Sequence, residues 1–351
     1  MTADGTLQLN AVEQKVLAGY RGVNPSKRQM TEKQWKELCD LRAHVFLDRL
    51  HVPPLVFRDA RVLDIGCGTG EYSTVYATWG AKVHGVDFND IALKEFHALA
   101  ASQGLSDRIT TELAALSTWD PPPDTFDIGI AHGVIHHTAD PEMSVRKLIQ
   151  SVRPGGFVIF STAPLPGGEQ RLLMHTIVQR FSKDLDSAVV LAEELFPEHL
   201  ERSVRIGGRT PQQIVADNFL TVQNVPIAVG DALRWLDEND VSLYRSWPPL
   251  ELHVSDHAWT PSIPLEQLPW REQLATQARL WASQRYPAAE EKDLPEELYR
   301  LFSDEHRQVL AALDLDDQSA LSSLRKILPS CRVFGHGTCG IGEWWVVGIK
   351  R

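Results

Sequence analysis

Cysteine is scarce in this 351-residue chain, and the few cysteines form no disulfide pattern. There are four, Cys39, Cys67, Cys331 and Cys339, and they lack the dense, regular spacing of small secreted domains. We therefore expect reduced thiols and a cytoplasmic location. The segment CRVFGHGTC at 331–339 offers soft metal ligands in a turn-like context, but no second paired cluster accompanies it.

Long apolar runs are also missing. No stretch approaches the roughly 18 apolar residues that a membrane-spanning helix requires. The opening residues MTADGTLQLNAVEQK contain neither the basic nor the apolar segment of an export signal. The sequence therefore predicts no membrane partner and no export.

Positive charge is in short supply. The chain has 35 lysines and arginines against 46 aspartates and glutamates, which gives a formal net charge of −11. Proteins that bind nucleic acid usually carry a basic excess or a basic stripe. The densest basic segment here, ERSVRIGGR at 201–209, is short and interrupted by acidic and apolar residues. We therefore predict no nucleic-acid partner.

Short apolar strands alternate with helical segments between residues 60 and 164. The predicted strands are ARVLDIG, AKVHGVDF, RITTELAAL, FDIGIAHG and FVIFSTA. The helices between them are EYSTVYATWG, NDIALKEFHALAASQG and DPEMSVRKLIQSV, the last ending in a Pro-Gly-Gly turn. Such alternation requires crossover connections and predicts an α/β fold with a parallel sheet covered by helices on both faces.

The regular alternation stops outside this region. Two helices are predicted within 8–50, the second capped by Thr31, and a strand is predicted in EWWVVGIKR at the chain end. We expect the last two core strands at 241–247 and 343–350. The predicted segments are an N-terminal helical cap (1–57), a core (58–164), a helical insertion (165–228), a core helix and strand (229–250), a second insertion (251–341) and the final core strand (342–351).

The stretch VLDIGCGTGEYS at 62–73 carries the most information about a ligand. An apolar strand leads into Gly66, Gly68 and Gly70, and a helix follows. Glycines at such a turn let a ligand approach the backbone closely. The G-x-G-x-G spacing differs from the dinucleotide fingerprint, and no Lys-Ser/Thr pair follows as in a P-loop. Asp64, just before the glycines, would repel a pyrophosphate but would suit a cationic amine.

A second acidic residue lies at the end of the second predicted strand. Asp87 follows Asp64 by 23 positions. An acid at this place can accept hydrogen bonds from both ribose hydroxyls. The two carboxylates and the glycines together predict a nucleoside ligand with an amino-acid-like cation.

At these residues the sequence resembles the class I S-adenosylmethionine-dependent methyltransferases. FDIGIAHGVIHHTADP is similar to the family's fourth-strand motif, and VRPGGFVIF to its turn into the fifth strand. The resemblance covers 58–164 well and 229–247 and 343–351 more weakly. It implies a Rossmann-like, seven-stranded, mostly parallel sheet in the order 3-2-1-4-5-7-6, with strand 7 antiparallel. It also implies S-adenosylmethionine as cofactor and S-adenosylhomocysteine as product.

The resemblance also implies roles for individual residues. Asp64, Gly66 and Gly68 would line the methionine moiety, Asp87 would hold the ribose diol, and Phe88 would lie beside the adenine. Ala114 stands where the family often has an acid, so backbone groups and Leu116 would serve the adenine edge instead. The implied cofactor-binding residues are Asp64, Gly66, Cys67, Gly68, Gly70, Asp87, Phe88, Ala115, Leu116, Ala131, His132 and Gly133.

Three histidines, His132, His136 and His137, lie close together in HGVIHHTADP. Their spacing matches neither an H-x-x-x-H helix pair nor a Cys/His zinc site, so we predict no metal. In the phosphoethanolamine methyltransferases, a histidine just after the fourth strand works with a tyrosine of the N-terminal helices. His136 is the matching position, His137 is its neighbour, and Tyr20 is a candidate counterpart. A structural role for His136 and His137 in the turn remains the alternative.

The substrate is less defined than the cofactor. We expect methyl transfer by in-line displacement to a small organic acceptor in specialised metabolism, because the insertions could form an enclosed and partly aromatic pocket. They also contain the pair of histidines in HVSDH at 253–257. An RNA- or protein-modifying methyltransferase and a non-catalytic S-adenosylmethionine-binding protein remain alternatives for the function. The insertions could also form the interface of a homodimer. The aromatic residues available are Trp235, Tyr244, Trp247, Trp259, Trp270 and Trp281.

Overall fold

The computed structural model describes residues 7–23, 28, 30–165, 169–247, 304–305, 307–331 and 343–351. The histidines of HVSDH, the tryptophans Trp259, Trp270 and Trp281, and nearly all of the segment 331–339 lie outside those residues. In the described ranges, no helix is both long enough and apolar enough to cross a membrane.

Two helices precede the sheet, as the sequence predicts. They are α1 (Ala11–Val23) and α2 (Glu32–His44). Thr31 begins α2 with a capping box, in which its hydroxyl accepts from the Gln34 amide at 3.3 Å and the Gln34 side chain accepts from the Thr31 amide at 2.9 Å. A π-helical turn at Val45–Arg49 continues α2 and brings Phe46 into the core.

Seven strands form the central sheet. They are β1 (Arg61–Ile65), β2 (Lys82–Asp87), β3 (Ile109–Leu113), β4 (Phe126–Ala131), β5 (Val152–Thr162), β8 (Val241–Trp247) and β9 (Trp344–Lys350). Their order is β3-β2-β1-β4-β5-β9-β8. The β9 strand runs antiparallel to both neighbours, and the other pairs are parallel. The predicted α/β class, strand order and antiparallel seventh strand are confirmed.

Helices α3 (Glu71–Thr78), α4 (Asp90–Ser102) and α5 (Pro141–Ser151) make the crossovers between these strands. One boundary differs from the prediction. The residues expected to form a Pro-Gly-Gly turn belong to β5, because Val152 already pairs with Phe126 and Phe157 resumes the ladder opposite Ile128. The extra residues form a bulge, with Gly155 at a φ of +78°.

The insertion after β5 is helical, as predicted, and its two ends are joined in a separate two-stranded sheet. Strands β6 (Pro164–Leu165) and β7 (Ile227–Ala228) pair in parallel at its two ends. The sequence does not single out α8 or α9. The helices in this part of the chain are α6 (Glu169–Phe181), α7 (Leu185–Leu195), α8 (Pro197–Gly207), α9 (Pro211–Asn218), α10 (Val229–Asp237) and, later, α11 (Asp317–Ile327).

Apolar clusters cover both faces of the sheet. On one face, Phe46 and Tyr76 pack with Trp345, and on the other, Trp344 packs with residues of the insertion helices. The alternation of side chains along β9 therefore joins both clusters. The predicted aromatic Trp235 is buried in the second cluster, whereas Tyr244 is 46% exposed.

Candidate active site

A cavity of about 410 Å³ lies at the carboxyl ends of β1, β2 and β4. Helix α1 and the helical insertion also contribute to its walls. Ligands of open α/β sheets bind at this edge, where the strand order reverses. The cavity brings together most of the predicted site residues, namely Tyr20, Asp64, Gly66, Cys67, Gly68, Asp87, Phe88, Leu116, His132, Gly133, His136 and His137.

The glycine loop has a left-handed backbone at alternate positions. Gly66 and Gly68 have φ of +66° and +55°, a region that residues with a side chain rarely occupy. A Cβ on Gly66 would come within 2.4 Å of the side chain of Val134, which also lines the cavity. The loop therefore leaves backbone at the cavity surface, where a ligand can approach closely.

Three of the predicted residues do not line the cavity. Gly70 begins α3 and packs against Phe96, where a Cβ would come within 1.8 Å of the ring. Ala115 and Ala131 are 1% and 0% exposed and belong to the core. These three residues pack behind the cavity wall and contribute nothing to its surface.

Asp87 is fixed at the end of β2 by backbone donors. Its Oδ2 accepts from the Gly68 amide at 2.9 Å, and its Oδ1 accepts from the Asn89 amide at 2.8 Å. Burial raises the pKa of Asp87, and these backbone hydrogen bonds oppose that effect. Each oxygen keeps a further acceptor position, so the carboxylate can receive two hydroxyl hydrogen bonds side by side.

Asp64 lies at the end of β1 and is 4% exposed. Its Oδ2 accepts a hydrogen bond from the Ser73 hydroxyl of α3. Burial raises its pKa to about 6, although the Ser73 hydrogen bond and the charge of Arg42 lower it. A cation bound beside Asp64 would offset this cost of burial, because an opposite charge favours the ionised form.

The loop after β3 closes another wall of the cavity, and two charged side chains hold it. Glu13 of α1 accepts from the hydroxyl of Ser117 at 2.7 Å and from its amide at 3.2 Å. Lys147 of α5 donates to the carbonyl oxygens of Leu116 at 2.7 Å and Trp119 at 2.5 Å. The side chain of Leu116 is thereby held at the cavity surface, next to α1.

His132, at the end of β4, is paired with Glu343, the residue before β9. The His132 Nε2 lies 2.8 Å from Oε1 of Glu343, and the imidazole stacks on Trp345 with ring centroids 4.6 Å apart. Burial raises the pKa of Glu343, but His132, Ser161 and Arg42 outweigh that effect and hold it at about 2. Burial lowers the pKa of His132, so a neutral imidazole donates to an ionised carboxylate at neutral pH.

His136 and His137 occupy a 3₁₀ turn after β4, and both line the cavity. The Nδ1 of His137 donates to the carbonyl of Gln223 at 2.6 Å, which leaves Nε2 as the acceptor of the neutral ring. Among the described residues, the buried Nδ1 of His136 has no hydrogen-bond partner. Burial lowers the pKa of both histidines, and that of His136 falls well below 6.5.

The third predicted catalytic residue, Tyr20, reaches the same cavity from α1. Its hydroxyl donates to Oδ1 of Asp217 in α9 at 3.4 Å. Burial and the neighbouring carboxylates of Asp217 and Asp87 raise its pKa well above 10. Tyr20 is therefore a protonated hydrogen-bond donor at neutral pH.

Sequence reasoning missed several charged residues of the cavity. Most of them are in α1 or the helical insertion, which carry no motif. Two have a sequence signal, because Glu71 directly follows the glycine loop and Glu343 directly precedes the final strand. The missed residues are Glu13, Arg28, Glu71, Arg171, Arg209, Asp217 and Glu343. Within the part of the chain that the structure describes, no three histidine, cysteine or acidic side chains converge as a metal site would require.

Comparisons with known proteins agree with this geometry. A family model described as a methyltransferase domain matches residues 62–156. The ubiquinone biosynthesis O-methyltransferase of Paraburkholderia phymatum is 38% identical over 104 residues, which cover 29% of this chain and 44% of that one. The corresponding protein of Parvibaculum lavamentivorans is 37% identical over 121 residues, covering 34% and 46%. The chain thus spans less than half the length of these curated relatives.

Among solved structures, an S-adenosylmethionine-dependent methyltransferase from Mesorhizobium loti is 29% identical, over 36% of this chain and 56% of that one, with a TM-score of 0.31. PKMT2 from Rickettsia typhi is 13% identical over 85% and 52%, with a TM-score of 0.49. Both scores are below 0.5, so the assignment rests on the strand order, the glycine loop and the family model. On these grounds, residues 62–156 belong to the class I S-adenosylmethionine-dependent methyltransferases.

Proposed function

We propose that this protein is a methyltransferase that uses S-adenosylmethionine and acts on a small organic molecule. The observation that carries the proposal is the shared cavity, which Asp64, the glycine loop and Asp87 line together with His136 and Tyr20. The cavity volume of about 410 Å³ lies within the range of small-molecule and cofactor sites, roughly 300–1,000 Å³. Curated relatives named as O-methyltransferases support the same reaction class.

The residues present fit the cofactor. Backbone at Gly66 and Gly68 would receive the methionine part, the ionised form of Asp64 suits its ammonium, and Asp87 would accept from both ribose hydroxyls. When bound, S-adenosylmethionine supplies an electrophilic methyl group on a sulfonium. The chain itself must align the acceptor, exclude water and remove a proton where the acceptor carries one.

We assign the proton acceptor to His136. A buried polar atom without a partner is uncommon in folded proteins and often belongs to a functional site. Among the described residues, the Nδ1 of His136 is such an atom, and the lowered pKa of this cavity-lining side chain keeps the ring neutral. His137 is the second candidate, because its hydrogen bond to Gln223 leaves its Nε2 as the acceptor. Tyr20 would donate a hydrogen bond to the acceptor or to Asp217.

We further propose that the protein works in the cytoplasm on a soluble acceptor. The described cysteines, Cys39, Cys67 and Cys331, are free thiols, which suits a reducing compartment. The net charge of −11 disfavours a phosphate-backbone substrate.

We also propose that residues 165–228 act as the lid of the acceptor pocket, since Arg171, Arg209 and Asp217 reach the cavity from that segment.

The first experiment is calorimetric titration of the full chain with S-adenosylhomocysteine. Wild-type protein should bind one equivalent, and Asp87→Ala should bind about 10- to 100-fold more weakly, because a hydrogen bond to a charged group contributes about 1.5–3 kcal/mol. Asp107→Ala, at an exposed acid after α4, should bind like wild type. No binding by the wild-type protein would refute the enzyme function.

A second experiment identifies the acceptor class. The protein is incubated with methyl-labelled S-adenosylmethionine and a metabolite extract, and in parallel with RNA and with protein from the same cells. Label should enter the small-molecule fraction. Transfer confined to RNA or to protein would contradict the small-molecule acceptor, and binding without any transfer would indicate a non-catalytic cofactor-binding protein.

A further inference from the structure

Glu13 of α1 is a cavity-lining carboxylate that has no part in the proposed methyl transfer. Near the start of the helix, its Oε2 accepts from the Ser117 hydroxyl at 2.7 Å and its Oε1 from the Ser117 amide at 3.2 Å. Near the end of the helix, Nη2 of Arg21 lies 2.5 Å from Oδ1 of Asp90, the first residue of α4. Helix α1 therefore extends from the loop that follows β3 to the residues that follow β2.

The strand order indicates which part of a bound nucleoside would lie near Glu13. In the sheet, β2 lies between β1 and β3. The proposed site places the methionine part of the cofactor at the glycine loop after β1 and its ribose at Asp87, at the end of β2. The base is attached to the ribose on the side away from the methionine part, so it extends toward the end of β3. The loop that follows β3 is the one that Glu13 contacts through Ser117.

The cavity residues contributed by these elements suit a flat heteroaromatic ring. A nucleobase has two apolar faces, and its hydrogen-bonding groups lie along its edge. Apolar side chains from α1, α4 and the ends of β2 and β3 line the cavity, namely Val16, Phe88, Ala92, Ala114 and Leu116. Glu13 adds a strong hydrogen-bond acceptor to these apolar contacts. Such a combination favours a base that carries a donor on its edge.

The Glu13 carboxylate is fixed in place and retains one acceptor position. A carboxylate offers about four such positions. Oε2 uses two of them, for the Ser117 hydroxyl and for the Asn10 amide at 2.9 Å, and Oε1 uses one, for the Ser117 amide. The Oδ1 of Asn10 in turn accepts from the Glu13 amide at 2.9 Å, which completes a capping box at the start of α1. Oε1 can therefore accept one further hydrogen bond while the helix cap and the loop contact stay intact.

We propose that Glu13 accepts a hydrogen bond from the exocyclic amino group of the cofactor's adenine and so selects adenine over purines that lack this amine. The inference rests on the proposed function and assigns a specificity residue of the cofactor site outside the glycine loop. The amino group of adenine is a hydrogen-bond donor. A site built to bind such a donor rejects analogues without it, because its buried acceptor is then left unpaired. The sequence had left this edge of the base to backbone groups and Leu116.

The test is calorimetry of the full chain with S-adenosylhomocysteine and with its 6-deamino analogue, in which purine replaces adenine. The two ligands differ only in the amino group. Wild-type protein should bind the analogue about 10- to 100-fold more weakly, as expected for loss of a hydrogen bond to a charged group. Glu13→Gln should bind the analogue like the wild type but prefer S-adenosylhomocysteine by no more than about 3-fold, because a neutral amide is the weaker acceptor.

Two control variants separate recognition of the base from support of the cavity wall. Asn10→Ala removes the side-chain acceptor at the start of α1, and Ser117→Ala removes the hydroxyl that donates to Oε2, while each keeps the Glu13 carboxylate. Both should retain the wild-type preference for the amine within about 3-fold, even where both ligands bind more weakly. A purely structural role of Glu13 would give Glu13→Gln the same unchanged preference. Circular dichroism confirms that each variant is folded.

The outcomes separate the two proposals. If wild-type protein binds both ligands equally, the amine has no partner in the site, so the inference is wrong and the proposed function stands. If Glu13→Gln keeps the full wild-type preference, another group accepts from the amine and the inference is again wrong. If the wild type binds neither ligand, the proposed function itself is refuted. Should Glu13→Gln fail to fold, Glu13→Asp decides, because its carboxylate is withdrawn by one methylene and the preference should fall to about 3-fold or less.

Discussion

The imidazole of His132 and the carboxylate of Glu343 lie 2.8 Å apart, although 211 positions separate them in the chain. The Ser161 hydroxyl of β5 donates to the same carboxylate at 2.5 Å and accepts from the Gly133 amide at 2.8 Å. The pair thereby joins the end of β4 to the start of β9 through β5. It holds the loop that leads to His136 and His137.

Replacement of Glu343 should therefore destabilise the protein in a pH-dependent way. The folded pKa of about 2 lies below the ordinary value of 4.5, so the stabilisation is present above pH 4.5 and is lost as pH falls toward 2. Because the side chain is 35% exposed, we expect Glu343→Gln to cost only about 1–2 kcal/mol at pH 7. Urea denaturation at pH 7 and pH 3 measures this difference, which should shrink at pH 3. The control Glu37→Gln, at a side chain 62% exposed, should change stability little at either pH.

Replacement of Asp64 should change the stability of the fold in the opposite direction. Its folded pKa of about 6 lies above the ordinary value of 3.8, so stability from this group is present below pH 3.8 and is lost as pH rises through 6. Asp64→Asn should therefore stabilise the free protein at pH 7 by about 1–2 kcal/mol, since the full shift corresponds to about 3 kcal/mol and the amide loses part of the Ser73 hydrogen bond.

Urea denaturation of wild type and Asp64→Asn at pH 4 and pH 7 measures the effect. The same variant should bind S-adenosylhomocysteine more weakly, because the carboxylate no longer faces the ligand's ammonium. Equal stability of the two proteins at both pH values would contradict the raised pKa. Unchanged binding would remove Asp64 from the cofactor site.

Gly70 should be far less replaceable than another glycine of similar backbone conformation. Gly70 and Gly104 have φ of +79° and +68°, but only Gly70 has an aromatic ring where a Cβ would lie. Gly104→Ala should cost about 1 kcal/mol for the left-handed backbone, and Gly70→Ala a further 1–3 kcal/mol or so for the displaced Phe96. Thermal denaturation of both variants compares the two effects. Equal melting temperatures would show that Phe96 moves aside freely.

The role of His136 can be tested through the pH dependence of turnover, once an acceptor has been found. If His136 removes the proton, kcat/KM should stay constant as pH falls from 8 to 6.5 and should decline only well below 6.5, because the free enzyme's imidazole titrates there. His136→Gln should lower kcat by about 100- to 10,000-fold while S-adenosylhomocysteine binding is retained. His137→Gln provides the matched comparison.

A kcat within a few-fold of wild type in His136→Gln would refute the base assignment. If His137→Gln shows the larger loss instead, the proton goes to Nε2 of His137. A small effect of both variants would indicate an acceptor that needs no base, and the histidines would then have a structural role in the turn.

Much of the fold was predictable from local patterns. The alternation of apolar strands and amphipathic helices over 60–164 predicts the crossovers, and EWWVVGIKR predicts the last strand. These elements are regular because each buries one face or both against neighbours, which leaves a period in the sequence. The sequence did not predict that β5 begins at Val152. The bulge at Arg153–Gly156 separates Val152 from the next pairing residue, Phe157, so the strand pattern is broken in the sequence.

The two halves of the candidate site differ in how far local sequence patterns predict them. Asp64, the glycines and Asp87 lie within one β-α-β unit, so their spacing in the chain reflects their spacing in space. Arg171, Arg209, Asp217 and Glu343 reach the cavity from separate elements, and no short-range pattern requires them to converge. Closeness in the chain can also mislead. Ala115 and Ala131 are next to the cavity residues Leu116 and His132, yet both are buried in the core.

The sequence by itself determined the α/β class, the glycine loop and the acidic partner at the end of β2, because turn geometry and strand periodicity are local properties of the chain. Tertiary structure alone decided that His132 pairs with Glu343, that Nδ1 of His136 has no partner among the described residues, and that Arg171 and Arg209 reach the same cavity. Those relationships depend on how the helical insertion and β9 pack onto the sheet. Packing is governed by long-range burial of apolar surface, which composition and spacing do not encode residue by residue.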